Sequence, residues 1–357
     1  MIANYKDILQ LSREHNLNVE DILMIALNAM GAHSTEYDFP RMRFRLALQT
    51  KINDPIYTIV PTQKINSPFY LQEGHLFLKG HVIGKVDLLE NDDVVVSYFR
   101  KGGKVLTLNS NVRSKCAGCS FCPNVLEKAS DTRFSVLEDL SNYFKNLAHS
   151  KGWQDLSQLE IITVCTGCFL RENLAVDHLI MVKKAASENG FIGKIQILTS
   201  VIRSREAMKT IKERLGDFKL TLTVECFTNR EKILKKSKAD LSFQETKVIL
   251  KNSKEIGFDT NFTYIVGIDS LDIAIPKISE LSQCINTFPN FQVYQPHNAF
   301  METFSTPESR NIEYFLKARI NIEHIFAGTD LMPQSWENYR SLWYYSHRGV
   351  KYQCTRI

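Results

Sequence analysis

No apolar run in this sequence approaches the roughly 20 residues that a bilayer-crossing helix needs, so no membrane span is expected. The opening residues carry Lys6, Asp7, Arg13 and Glu14 where a secretory signal needs an unbroken apolar stretch, and a cytoplasmic location follows as the expectation. Glycine and proline are scarce, at 16 and 10 of 357 residues, which excludes collagenous, linker-like and disordered chains. The excess of 44 Lys+Arg over 39 Asp+Glu leaves a formal charge of only +5, no electrostatic footprint of a nucleic-acid binder. Internal repeats and low-complexity tracts are also missing. What remains, 44% hydrophobic and 23% charged residues, describes a globular chain of one large or two ordinary domains. Eight cysteines in a reducing compartment read as thiols, metal ligands or redox groups rather than disulfides.

Residues 1–100 read as an α+β region, with helical patterns at Tyr5–Arg13 and Val19–Met30 followed by alternating, strand-like sequence. A substrate-binding or lid role is expected for it. VVVSYF and KVLTLN flank Arg100-Lys101-Gly102-Gly103, a hairpin turn because glycine accepts positive φ. Six strand-like runs follow: Val105–Asn109, Leu159–Val164, Lys194–Thr199, Lys219–Glu225, Thr260–Val266 and Phe291–Gln295. Amphipathic helical patterns separate them. This alternation predicts right-handed βαβ units with ligands at the C-terminal ends of the strands. Residues 101–320 are expected to form that body, and 321–357 a tail that closes it.

Directly after the first of those strands stands Cys116-Ala117-Gly118-Cys119-Ser120-Phe121-Cys122. Three thiols within seven residues on a loop leaving a strand tip can converge on one metal. An odd-numbered cluster is a poor disulfide framework, and zinc normally draws four ligands. Three ligands without an obvious fourth suggest a [4Fe–4S] cluster with one iron left open; zinc, or thiols without a metal, are the alternatives.

These residues resemble the radical S-adenosylmethionine (radical SAM) superfamily, whose cluster loop follows the first barrel strand and carries an aromatic before the last cysteine, the place of Phe121 here. The first cysteine gap is two residues where the family usually has three. The resemblance covers about residues 104–300 and implies a (β/α)6 partial TIM barrel preceded by the small α+β region, similar to biotin-synthase-like members. It further implies that Cys116, Cys119 and Cys122 hold the [4Fe–4S] cluster. Reductive cleavage of S-adenosylmethionine to a 5′-deoxyadenosyl radical, and hydrogen abstraction from a small-molecule substrate, are the implied chemistry. An electron donor such as flavodoxin or ferredoxin is implied with it. Carried over by position, Thr166 and Gly167 stand at the second strand end, Ser200 at the third and Glu225 at the fourth. Arg230 or Lys238 could pair with the cofactor carboxylate, and Val266-Gly267 would pack against adenine.

Cys165 and Cys168 could ligate a second cluster, act as a thiol pair or simply pack. Cys168, His297 and Cys354 are candidates for contact with substrate. Cys226 and Cys284 read as small buried apolar residues, and Lys232, Lys235, Lys236 and Lys238 as a solvated helix face. Two competing functions are a binding protein stapled by zinc or an iron–sulfur centre, and a radical SAM enzyme acting on RNA or peptide. The second rests on the interleaved aromatic and basic residues of Trp336–Arg348, which otherwise serve to close the barrel.

Overall fold

A computed structural model describes residues 2, 4–50, 55–62, 66–91, 97–110, 118–122, 134, 136–165, 169–334 and 337–351. Two helices open the chain, α1 (Tyr5–His15) and α2 (Val19–Met30). The first is fixed by a capping box, in which the Asn4 side chain accepts from the N3 amide and Asp7 answers from the other side. Six strands follow: β1 (His33–Ser34), β2 (Arg41–Leu48), β3 (Ile56–Pro61), β4 (Phe69–Gln72), β5 (His75–Leu78) and β6 (His81–Asn91). They form one sheet in the order β1-β4-β5-β6-β2-β3, antiparallel except where β1 meets β4.

The second sheet has seven strands in the order β13-β12-β11-β10-β9-β8-β7. Its strands are β7 (Ser97–Arg100), β8 (Val105–Leu108), β9 (Ile161–Val164), β10 (Lys194–Thr199), β11 (Phe218–Glu225), β12 (Asp259–Val266) and β13 (Asn290–Val293). Helices α3 (Leu137–Ser150), α4 (Glu172–Glu188), α5 (Arg205–Leu215), α8 (Phe243–Glu255) and α9 (Leu271–Ser282) lie between the parallel strands. Two single turns, α6 (Arg230–Ile233) and α7 (Lys236–Ala239), precede α8. After β13 come the short α10 (Ala299–Glu302), a 3₁₀ turn at Pro307–Arg310, α11 (Ile312–Ile325) and a small hairpin, β14 (Ser346–His347) and β15 (Val350–Lys351).

The expected (β/α)6 partial TIM barrel with a small N-terminal appendage is not what the chain forms. The protein is mixed α/β, built on two curled sheets of six and seven strands. Strands β8 to β13 do pair parallel and in chain order, but β7 adds an antiparallel edge through the hairpin at Lys101–Lys104. The physical reason is local. Lys101, Gly102 and Gly103 all take positive φ, folding β7 back on β8, and alternation of helix and strand encodes crossover direction rather than closure. The N-terminal part, for its size, carries a whole sheet.

The two faces of the seven-stranded sheet differ in chemistry because side chains alternate along each strand. Leu106, Leu108, Ile162, Val164, Ile195, Ile197, Leu220 and Leu222 are buried in the main apolar core, where α5 and α8 pack on β11. The opposite face is buried but polar. Thr107, Thr163, Gln196 and Lys219 stand in register across four adjacent strands. The C-terminal segment covers that row. Glu337 meets Lys219 at 2.7 Å and Gln196 at 3.0 Å, and Arg100 donates to the Glu337 carbonyl at 3.1 Å.

That segment also ties the two halves together. Asp21 of α2 accepts from the Tyr344 and Tyr345 amides at 2.8 and 2.9 Å and lies 3.2 Å from Arg319 of α11, with both side chains fully buried. Trp343, Tyr344 and Tyr345 are buried too. Among the described residues of the tail, Tyr339, Trp343, Tyr344 and Tyr345 are therefore core.

Candidate functional site

The chemistry-bearing residues collect where β10, β11 and β12 end. Strand β11 runs in register with β12 as far as Thr223 and then shifts, so that Glu225 stands opposite Tyr264. Glu225 takes φ +70°, a left-handed backbone that costs a non-glycine residue about 1–2 kcal/mol. Strain of this kind persists only where the surroundings over-determine it.

Arg230 does much of that. Its guanidinium donates to the carbonyls on both sides of Glu225, Val224 at 2.7 Å and Cys226, and to the Lys238 carbonyl at 2.6 Å. Asp269 fixes the next residues, accepting from the Phe227 and Thr228 amides at 2.7 and 2.9 Å, from the Thr228 hydroxyl, and from Tyr264 at 2.8 Å. So held, the Glu225 carboxylate turns to the polar face of the sheet. There it takes the Lys238 ammonium at 2.6 Å and the Thr263 hydroxyl at 3.1 Å.

Two hydroxyls on neighbouring strand ends are buried with no hydrogen-bond partner among the described residues: Ser200 Oγ after β10 and Thr223 Oγ1 on β11. Leaving such a group unsatisfied costs about 1–3 kcal/mol. The pair belongs to the minority of buried polar atoms without a bond, each of which calls for an explanation such as a water, an ion or a ligand.

The cysteine loop reaches this place. The Cys119 carbonyl accepts from the Cys122 amide at 2.8 Å, so the two thiols share one turn. Ser120 is bonded to the loop after β11, its amide to the Ile233 carbonyl at 2.8 Å and its hydroxyl to that of Lys232 at 3.2 Å. The Lys235 amide donates to Cys119 Sγ at 3.5 Å. Cys119 is buried in a small apolar cluster with Cys226, Ile233, Leu234, Ile265 and Tyr294, and Phe121 and Cys122 pack against its edge. Burial pushes the Cys119 thiol up from its usual value, against the pull of Lys238 and the Lys235 amide. A thiolate there needs a cation, and soft metals answer that need.

At the end of β12, Gly267 has φ +123°, and a Cβ on it would stand 3.0 Å from that of Tyr294. Only glycine fits without displacing Tyr294, and the turn is closed by backbone, the Val266 carbonyl accepting from the Tyr294 amide and the Gly267 carbonyl from the Thr306 amide, each at 2.8 Å. His297 lies half-buried beyond β13. Cys165 is half-buried at the end of β9, its amide bonded to the Leu108 carbonyl at 3.2 Å. Cys116, Thr166, Gly167, Cys168 and Cys354 lie outside the described residues. Among the described residues, no three His, Cys, Asp or Glu side chains converge as a metal site.

The structure thus brings together Cys119, Cys122, Phe121, Glu225 and Lys238, with Ser200 on the adjoining strand end. Arg230 serves a different purpose from carboxylate pairing, because three backbone carbonyls occupy its guanidinium. Sequence reasoning passed over Asp269 and Thr263. The signal for both was their place at the tip of β12, next to residues already singled out. Cys226 is buried as expected, but directly beside Cys119.

Two thiols on one turn, an amide aimed at one sulfur and an apolar surround are compatible in chemistry with an iron–sulfur centre. No described helix is long and apolar enough to cross a membrane. Searches against protein-family models and against curated proteins find no match for this chain.

Proposed function

We propose that this protein is a radical SAM enzyme of the cytoplasm, with Cys116, Cys119 and Cys122 holding a [4Fe–4S] cluster and a small molecule as substrate. One observation carries the reading. A two-thiol turn is bonded to the loop that carries Lys238, beside a strained, buried Glu225–Lys238 pair, and the neighbouring Ser200 and Thr223 hydroxyls have no partner among the described residues. When bound, the cluster supplies one-electron reductive cleavage of S-adenosylmethionine.

The chain's own residues bind, orient and exclude water. Glu225, Ser200 and Thr223 present one charged and two neutral oxygen groups to a polar ligand rich in hydroxyl and ammonium groups. Lys238 aims the carboxylate through its 2.6 Å contact. Ile265, Ile268 and Tyr294 supply apolar walls that exclude water from a reactive carbon. The burial of Trp343, Tyr344 and Tyr345 removes the aromatic surface on which an RNA substrate would depend.

Anaerobic reconstitution of the wild-type chain and of Cys119→Ser tests this. The wild type is expected to turn brown and to release 5′-deoxyadenosine from S-adenosylmethionine after dithionite reduction. Cys119→Ser is expected to lose both while keeping its far-UV circular dichroism. A colourless wild type carrying stoichiometric zinc, or a variant that unfolds, would establish the metal-stapled binding protein instead.

A further inference from the structure

The tail is anchored by a contact that the candidate site does not use. After α11 the chain turns back, and Met332 of that turn lies against the β14–β15 hairpin. Its sulfur stands 3.1 Å from His347 Nδ1 and 3.3 Å from an Arg348 guanidinium nitrogen. The same guanidinium donates to the carbonyls of Phe326 and Ala327 at 3.0 Å and of Thr329 at 3.3 Å. Arg348 thus closes the C-terminal end of α11 and holds one thioether at once. Glu337, which meets Lys219 over the polar face of the sheet, follows a few residues after Met332.

A thioether is a poor acceptor for such donors. The His347 ring is buried edge-on to Phe288 and Trp343, and burial lowers its pKa from 6.5 to about 4, so it is neutral near pH 7. A neutral imidazole has a single N–H. Placed on Nε2, that proton has no partner among the described residues and leaves two lone pairs facing each other across the sulfur contact; placed on Nδ1, it points at the sulfur. The ring therefore donates to Met332, as the charged guanidinium does.

Two good donors converge on one weak acceptor. A sulfoxide oxygen on that sulfur is a far stronger acceptor, and the three rotatable bonds of methionine let it settle between the two nitrogens. Met332 is also open to a small oxidant. At 38% it is the most exposed of the described methionines, since Met24, Met42, Met208 and Met301 are buried and Met30 and Met181 half-buried.

We infer that Met332 is a site of reversible oxidation to the sulfoxide, and that Arg348 and His347 form the cradle that holds the new oxygen and tightens the tail on the sheet. The sulfur lone pair attacks one oxygen of hydrogen peroxide; the S–O bond forms, the O–O bond breaks and water leaves. Sulfur gives up two electrons and peroxide takes them. A methionine sulfoxide reductase supplied with a dithiol reverses the step, releasing water and a disulfide. Oxidation ordinarily disrupts packed methionines because it makes an apolar side chain polar. Here the polar partners are already in place. The inference is independent of the chemistry proposed at the cysteine loop, since it uses none of that loop's residues.

The test treats the full chain, Met332→Leu and Arg348→Ala alike with dilute hydrogen peroxide. Peptide mass spectrometry locates the sulfoxide, and urea denaturation followed by circular dichroism compares treated with untreated protein. Met332 is expected to oxidise about fivefold or more faster than Met30 or Met181. The treated wild type should unfold at higher urea than before, and reductase with dithiol should return the midpoint. Treated Met332→Leu, which carries any oxidation elsewhere in the chain, should show no rise. Arg348→Ala should still gain the sulfoxide but lose the rise.

An oxidised wild type no more stable than treated Met332→Leu overturns the inference. So does an equal rise in Arg348→Ala, because the oxygen would then be held by something other than this cradle. Oxidation of Met332 no faster than that of Met30 or Met181 overturns it as well.

Discussion

Strand β11 carries a buried glutamate–lysine pair at each end, and the two pairs are built for different ends. At its start, Lys219 meets Glu337 at 2.7 Å, with side chains only 4% and 7% exposed. Gln196 completes that carboxylate, and the attraction of Lys219 overcomes burial to hold the Glu337 pKa below the usual carboxylate range. At its end, Glu225 meets Lys238 at 2.6 Å on a left-handed backbone, next to Ser200 and Thr223 hydroxyls with no partner among the described residues. The first pair sits on relaxed backbone under the tail; the second sits on a strained residue at the strand end. Burial and pairing are common to both, so they do not mark the site. The left-handed backbone of Glu225 does.

The largest effect should come from breaking the finished pair. Lys219→Ala leaves Glu337 buried without its cation, a loss of about 3–5 kcal/mol for such pairs. Urea denaturation followed by circular dichroism should show it, and the folded fraction should still bind S-adenosylmethionine. A cost below about 1 kcal/mol would mean that the tail does not hold this end of the sheet shut.

Glu225→Gln sharpens the contrast from the other end. The amide keeps partners for Lys238 and Thr263 but loses the charge. Hydrogen bonds to charged groups are worth about 1.5–3 kcal/mol, so S-adenosylmethionine affinity should fall about 10- to 100-fold. Its urea midpoint should move less than that of Lys219→Ala. Unchanged binding together with an equal loss of stability would make this pair structural too, and the comparison would collapse.

Legibility in the sequence followed the same division. Strand β10 at Lys194–Thr199 and helix α2 at Val19–Met30 match their expected bounds, because apolar periodicity and caps are local signals. Sheet closure was not legible. A Lys-Gly-Gly turn announces a hairpin without saying that it will add an antiparallel edge to a parallel sheet. The cysteine spacing and the strand-end position of Glu225 pointed to the site. The role of Arg230 could not be read, since carbonyl acceptors leave no trace in residue identity. Nor could the contact between Cys119 and the Lys235 amide, which joins residues 116 positions apart through tertiary packing.

The smallest effect separates the same two regions by pH. His178 of α4 bonds Ser110 at 2.6 Å, just past the end of β8, and burial lowers its pKa from 6.5 to about 4. His347 of the tail, edge-on to Phe288 and Trp343, is lowered to about 4 for the same main reason. Unfolded chains protonate these rings near pH 6.5, whereas the folded protein resists until about 4, so in that window the unfolded state binds more protons. Stability is therefore complete above pH 6.5 and is lost as pH falls towards 4, at up to about 1.4 kcal/mol per pH unit for each histidine. Urea midpoints at pH 7, 6 and 5 should show this slope, and His178→Asn and His347→Gln should each reduce it. Only His178→Asn should also alter the visible spectrum of the reconstituted protein, because Ser110 lies on the strand side of the cysteine loop. Equal spectra for the two variants would confine His178 to support of the fold, as the tail histidine is.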